Sequence, residues 1–237
     1  MNKKISLLII LAVVLSTGYT QAQFSLGVRA GFNLTNLSHS EAVGDEKWKP
    51  GFQTGVVADN ALSDVFSIQL GILFATQGRK TDQNDVVSGI NTKSTLNLNY
   101  IQVPVNAQYK LDLGGMELLL QAGPYFGYGL RARFKGESTF NGVKLPSFDE
   151  KIKMGSDELE AVNFKAFDFG LGLGVGVQFR KLQIVLGYNQ GFLNLNNITE
   201  EKIKDLIPYM LPGQKEQILN QNIKNKGFAV TLSCPFF

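Results

Sequence analysis

Residues 167–179 read FDFGLGLGVGVQF, with glycine at every second position from Gly170 to Gly176. Closely spaced glycines serve phosphate-binding loops, and they also serve crowded strands. A dinucleotide loop needs G-x-G-x-x-G opening a helix. Counted from Gly170, Gly172 or Gly174, the sixth position is Val175, Val177 or Phe179. No Gly-Lys-Ser/Thr of a nucleotide-triphosphate loop occurs in the chain. Strict alternation is what remains. Phe167, Phe169, Leu171, Leu173, Val175, Val177 and Phe179 share one face; Asp168, the glycines, Gln178 and Arg180 share the other. Period two is the signature of a β-strand. This one exceeds the roughly 5–6 residues usual in soluble sheets, so what its apolar face looks at decides the fold.

The first residues bear on that question. Lys3 and Lys4 precede an apolar run from Ile5 to Leu15, and Thr20-Gln21-Ala22 offers small residues before a cut. Residues 1–22 are therefore expected to be a signal peptide, leaving a domain at 23–237. The run is shorter than the ~20 residues of a spanning helix. Two of the 23 basic residues fall in this leader, which leaves 21 against 20 acidic ones. A near-neutral chain gives no reason to expect a nucleic-acid partner. The single cysteine, Cys234, has no internal disulfide partner.

The same alternation recurs along the chain. Apolar faces begin at Phe24, Phe52, Phe66, Ile101, Leu118, Phe167, Leu182 and Phe228. These make eight strands, each near the ~9–11 residues of a tilted membrane strand. Connections after the second, fourth and sixth strands are short. Those after the first, third, fifth and seventh are long and polar, including residues 78–94 and 132–163. The pattern predicts an all-β fold: an eight-stranded antiparallel up-and-down transmembrane barrel with short periplasmic turns and long extracellular loops. Glycines then suit an interior just wide enough for side chains.

With those strands in view, FSLGVRAGFNLTNL, YIQVPVNAQYKL, LLLQAGPYFGYGL and FDFGLGLGVGVQF resemble the outer-membrane β-barrel proteins of Bacteroidota labelled PorT-family or porin-family. The resemblance implies a Gram-negative outer membrane as the location and its lipid as a partner. One member type is an accessory of type IX secretion, so a secretion-system or extracellular protein partner enters as an alternative. The terminal Phe236-Phe237 resembles the signal read by barrel-assembly machinery, a partner during biogenesis.

Little in the chain points to chemistry. One histidine, His39, lies among Ser38, Ser40 and Glu41 in a polar loop, and sequence neighbours rarely form a triad. No catalytic, cofactor or metal set is expected, since one histidine and one outward cysteine cannot make a zinc site. Polar residues on the inward face include Arg29, Gln102, Gln121, Arg131, Asp168 and Gln178. They form either a hydrogen-bonded plug or the wall of a small-solute pore. Arg131 and Asp168 are expected to pair near the outer mouth. In ITEEKIKDLIPYML, Ile203, Leu206, Ile207 and Met210 fall at helical spacing, broken by Pro208 and Pro212. That stripe either contacts a partner at the surface or packs on the barrel rim. The function these readings support is non-enzymatic, structural or interactive at the surface, with a channel and a secretion accessory as alternatives.

Overall fold

A computed structural model describes residues 24–38, 45–85, 89–155, 164–204, 207–210 and 213–236. The principal strands are β1 (Phe24–Ser38), β2 (Asp45–Ala61), β3 (Phe66–Asp85), β4 (Ile90–Asp112) and β5 (Glu117–Phe140). After the short β6 (Val143–Lys144) and β7 (Phe148–Ile152) come β8 (Phe167–Phe179), β9 (Leu182–Gly191) and β10 (Lys224–Pro235). Each long strand pairs antiparallel with its neighbours, and β5 pairs β8 below and β7 above. Pairing of β1 with β10, from Gly27 opposite Pro235 to Ser38 opposite Lys224, closes the ring. The result is the eight-stranded barrel with no free edge in its wall.

Faces follow the alternation. Leu171, Leu173 and Val175 are exposed on the outside, while Gly172 and Gly174 line the interior. Around the rest of the wall Phe32, Val56, Ile72, Leu120, Leu186 and Val230 also point outward and stay exposed. A side chain at Gly123 would strike the Val105 carbonyl of the adjoining strand, so only glycine lets β4 and β5 approach there. Rings collect toward both ends of the outer face: Phe24, Phe66, Tyr109 and Phe179 near the short turns, Trp48, Phe126, Tyr128 and Phe167 toward the other end. Such girdles mark the two interfaces of a membrane barrel.

Two polar segments read as loops are largely strand. Residues 78–85 and 90–94 continue the β3–β4 ladder up to Asp85 opposite Ile90, and 132–140 continue β5. Their polar outer face does not break the ladder, because above a bilayer that face meets water instead of lipid. The β9–β10 connection holds short helices α1 (Glu200–Ile203) and α2 (Gln214–Leu219), with one 3-10 turn at Ile207–Tyr209. The longer helix suggested by ITEEKIKDLIPYML is cut to one turn, with Pro208 inside the 3-10 turn.

Candidate functional site

The barrel interior is the candidate site, and it is built in two storeys. In the lower one, Arg29 on β1 donates through Nε to Ser233 Oγ of β10 at 2.8 Å and through Nη2 to Gln69 Oε1 of β3. Gln69 Nε2 donates to Gln183 Oε1 at 3.3 Å, and Gln183 Nε2 donates to Gln178 Oε1 at 2.8 Å. Beside this chain Gln108 Nε2 donates to Gln121 Oε1 at 3.3 Å, and Ser67 Oγ donates to Gln108 Oε1 at 3.2 Å. Side chains from seven strands take part in these bonds across the lumen. Arg29 is 3 % exposed, and the nearby Asp59 carboxylate offsets its charge. A cavity of about 50 Å³ lies among Arg29, Gln53, Gln102, Asn106 and Asn189.

Gln102 stands where the storeys meet. Its Nε2, Asn33 Oδ1 and Asn225 Oδ1 have no protein partner among the described residues, and all three residues line a space of about 10 Å³. Volume and polarity there suit one water, donating to the two oxygens and accepting from Gln102. Just above, Asp168 is fully buried. Its Oδ2 accepts from Asn225 Nδ2 at 2.8 Å and from the Tyr125 hydroxyl at 3.2 Å. Asn225 Nδ2 also reaches the Tyr100 hydroxyl at 3.3 Å.

The upper storey is apolar. Leu37, Leu98, Tyr100, Ala132 and Leu195 are fully buried, with Leu96, Ile152, Met154, Phe164 and Ile223 nearly so. Leu195 and Ile223 come from the β9–β10 connection, which is pinned by two asparagines. Asn194 Oδ1 accepts from the amides of Asn196 and Ile223 at 3.0 and 2.9 Å. Asn196 Nδ2 donates to the Ile218 carbonyl at 3.0 Å. The connection is therefore a folded cap whose apolar side chains enter the barrel mouth. A recess of about 240 Å³ remains on top, lined by Leu37, Arg79, Gln83, Phe134, Phe164 and Gln221.

Of the six inward residues named from sequence, Arg29, Gln102, Gln121, Asp168 and Gln178, the last bonded to Gln183, do line the interior. Arg131 does not. It is exposed, and it forms no pair with the buried Asp168. The cause is a bulge: Asn99 faces Arg131 while the next residue, Tyr100, faces Gly129, so Leu130 is extra and reverses the alternation beyond it. The stripe in the cap also needs correction. Ile203 is 3 % exposed and belongs to the packing interior, so it cannot meet a partner at the surface. Ile207 and Met210 are half-buried, whereas the unremarked Tyr209 is the exposed apolar residue, at 87 %. Leu206, His39 and the expected leader lie outside the described residues. Asn225 was missed because it lies just before the alternating run that starts at Phe228; Tyr100 and Tyr125 had the right face but no signal of their bond to Asp168. Among the described residues no three histidine, cysteine or acidic side chains group as a metal site.

Comparison with known proteins agrees with this geometry at the level of family. Solved structures of similar shape include Neisserial surface protein A, at 13 % identity and TM-score 0.42, covering 90 % of this chain and 99 % of that one. Another is Ail, the attachment invasion locus protein of Yersinia pestis, at 11 % identity and TM-score 0.38, covering 90 % and 98 %. No curated protein matches the sequence. The family described as "Outer membrane protein beta-barrel domain" matches residues 19–197, most of the chain, and the protein belongs to that family.

Proposed function

We propose that the protein is a closed, non-enzymatic outer-membrane barrel that acts at the cell surface, as a structural element or through contacts made by its exterior hairpins and cap. The observation that carries this reading is the apolar cluster at the barrel mouth. A water-filled pore needs a continuous polar path, and here Leu98, Tyr100, Ala132 and Leu195 stack across it at zero exposure. The cavities beside the bonded glutamines beneath measure about 50 and 10 Å³, so the polar interior reads as a plug. The surface side is well equipped for contact. Strands β4 and β5 run 23 and 24 residues, beyond what a bilayer needs, and β5 turns into β6 at Asn141-Gly142. Export through a cleaved leader fits this destination.

Two measurements test the proposal. In a planar bilayer the folded protein is expected to pass almost no current; steady, large, reproducible openings would make it a channel. Cross-linking on intact cells followed by purification should then recover surface partners bound through the hairpins or cap. Recovery of secretion-machinery components in place of surface partners would move the protein to an accessory role in export.

A further inference from the structure

The outward face of β5 changes character at one place. Tyr128 and Leu130 end the apolar band, 59 % and 44 % exposed. The next outward residues are Arg131, Arg133 and Lys135. Regular alternation would carry Arg131 into the lumen behind Gly127 and Gly129. The bulge at Leu130 turns it out instead, and re-aiming a side chain is a recurrent use of bulges. Strand β7 then sets Lys151 directly opposite Arg133. Like charges facing one another across a ladder destabilise it. Asp149 relieves part of this, accepting from Arg133 Nε and Nη2 at 2.7 and 2.6 Å and lying 3.5 Å from Lys135 Nζ. Of the other carboxylates on these strands, Glu137 faces Lys93 and Glu150 faces Phe134. Arg131 has no ion pair among the described residues. Four cations thus share this face with one carboxylate, which bonds Arg133 and Lys135, and Asn97 and Asn99 lie opposite Arg133 and Arg131.

Height narrows the choice of ligand. Arg131 lies three residues past Tyr128, roughly 10 Å along the strand, which is about 7 Å of height at the ~45° tilt of a membrane strand. Headgroup layers extend about 5–8 Å beyond each side of the hydrocarbon. The tip of the hairpin, where a soluble partner would first touch, is another ten residues on, at Asn141. We propose that Arg131, Arg133, Lys135 and Lys151 form a site on the outer wall for the phosphate groups of outer-leaflet lipid. Arginine forks grip phosphate oxygens in pairs, and lysines add point charge. Asp149 holds the Arg133 guanidinium in place. The site rests on the outer-membrane reading of the protein.

The test uses the whole folded protein in detergent and native mass spectrometry with bis-phosphorylated lipid A, its dephosphorylated form and inorganic phosphate as probes. The patch variant combines Arg131→Gln, Lys135→Gln and Lys151→Gln, leaving the Arg133–Asp149 pair. A control variant removes as many charges elsewhere, by Lys181→Gln, Lys204→Gln and Lys215→Gln. Phosphorylated lipid should bind the patch variant about tenfold more weakly than wild type, and the control within about twofold. Dephosphorylated lipid should bind all three weakly and alike. Equal binding of phosphorylated lipid by patch variant and wild type would overturn the proposal. Inorganic phosphate binding as tightly as the lipid would reassign the site to a free anion, and a sulfated polysaccharide displacing the lipid outright would reassign it to a soluble glycan. Heat-dependent gel mobility reports folding separately: its absence in wild type would sink the barrel reading instead. If the patch variant does not fold, Arg131→Gln alone, at an exposed position, should still weaken lipid binding about threefold, and no change there overturns the site.

Discussion

Along β4, residues 101–109 carry Ile101, Val103 and Val105 on the outer face and Gln102, Asn106 and Gln108 inside. Residues 95–100 do the reverse, with Leu96, Leu98 and Tyr100 inside and Thr95, Asn97 and Asn99 outside. Backbone and strand are continuous through the change. Only the solvent differs: lipid surrounds the lower segment, so apolar side chains face out and the interior must satisfy its own polar groups. Water surrounds the upper segment, so it packs like a soluble protein with its apolar side in. One barrel is therefore held by two kinds of interior, a hydrogen-bonded one within the membrane and a hydrophobic one above it.

Breaking each interior should have different consequences. The largest effect is expected for Arg29→Ala, which unties Gln69 and Ser233 and leaves Asp59 with Lys110 as its cation; breaking a buried charged network costs about 3–5 kcal/mol. Urea unfolding in lipid vesicles, followed by the fluorescence of the sole tryptophan, Trp48, measures it. Next is Leu173→Arg, which puts a cation into hydrocarbon from the outer wall at about 2–4 kcal/mol and should lower the heat-modifiable fraction. Leu98→Ala removes a buried side chain where cap and barrel meet, at about 2–5 kcal/mol. It should admit protease to the cap while the barrel keeps its heat-dependent mobility. Loss of mobility with an intact cap would show that the two interiors are not separate.

Smaller effects sharpen the contrast. A methyl at Gly174 would come within 2.8 Å of Gln121 Cγ, the movable stem of a side chain. Gly174→Ala should therefore cost about 1 kcal/mol, the low end for overpacking, as refolding yield would show. Smallest is a pH effect outside the membrane. Hydrogen bonds from Arg133 hold the Asp149 carboxyl down at about 2, below its ordinary 3.8. A depressed folded value means that the pair's contribution is present above about pH 4 and fades as pH falls through 2. The carboxyl resonance of Asp149 should titrate near 2; a midpoint near 4 would mean the β5–β7 pair is not formed.

The membrane half was legible in the sequence because period-two alternation with apolar residues outward repeats in all eight strands, glycines included. Above it, legibility failed for physical reasons. The phase reversal between Tyr100 and Ile101 looks like the end of a strand if only one pattern is sought, so the polar hairpins passed for loops. Arg131 was misplaced because one inserted residue, Leu130, inverts everything beyond it, and a bulge leaves no local mark of its own. Ile203 was recognisable as part of an apolar stripe, but whether a stripe faces a partner or its own barrel depends on Leu195, Ile223 and the strands they meet. Asp168 was rightly placed inside; its true partners are Tyr125 on the adjoining strand β5 and Asn225 on β10, two strands away, and alternation along single strands does not show which side chains meet inside.

Cysteine accessibility along β8 tests the central claim most directly, which is that FDFGLGLGVGVQF is a wall with lipid on one side and a filled interior on the other. With Cys234 changed to serine, single cysteines are placed at positions 171 to 175 in the membrane-inserted protein. A lipid-dissolved label is expected to react at 171, 173 and 175 and to miss 172 and 174. A small water-soluble reagent is expected to reach neither set, because the outer positions lie in hydrocarbon and the inner ones beneath a sealed mouth. Labelling of 172 and 174 from water would contradict the closed interior, and labelling with a period of 3.6 would contradict the strand itself.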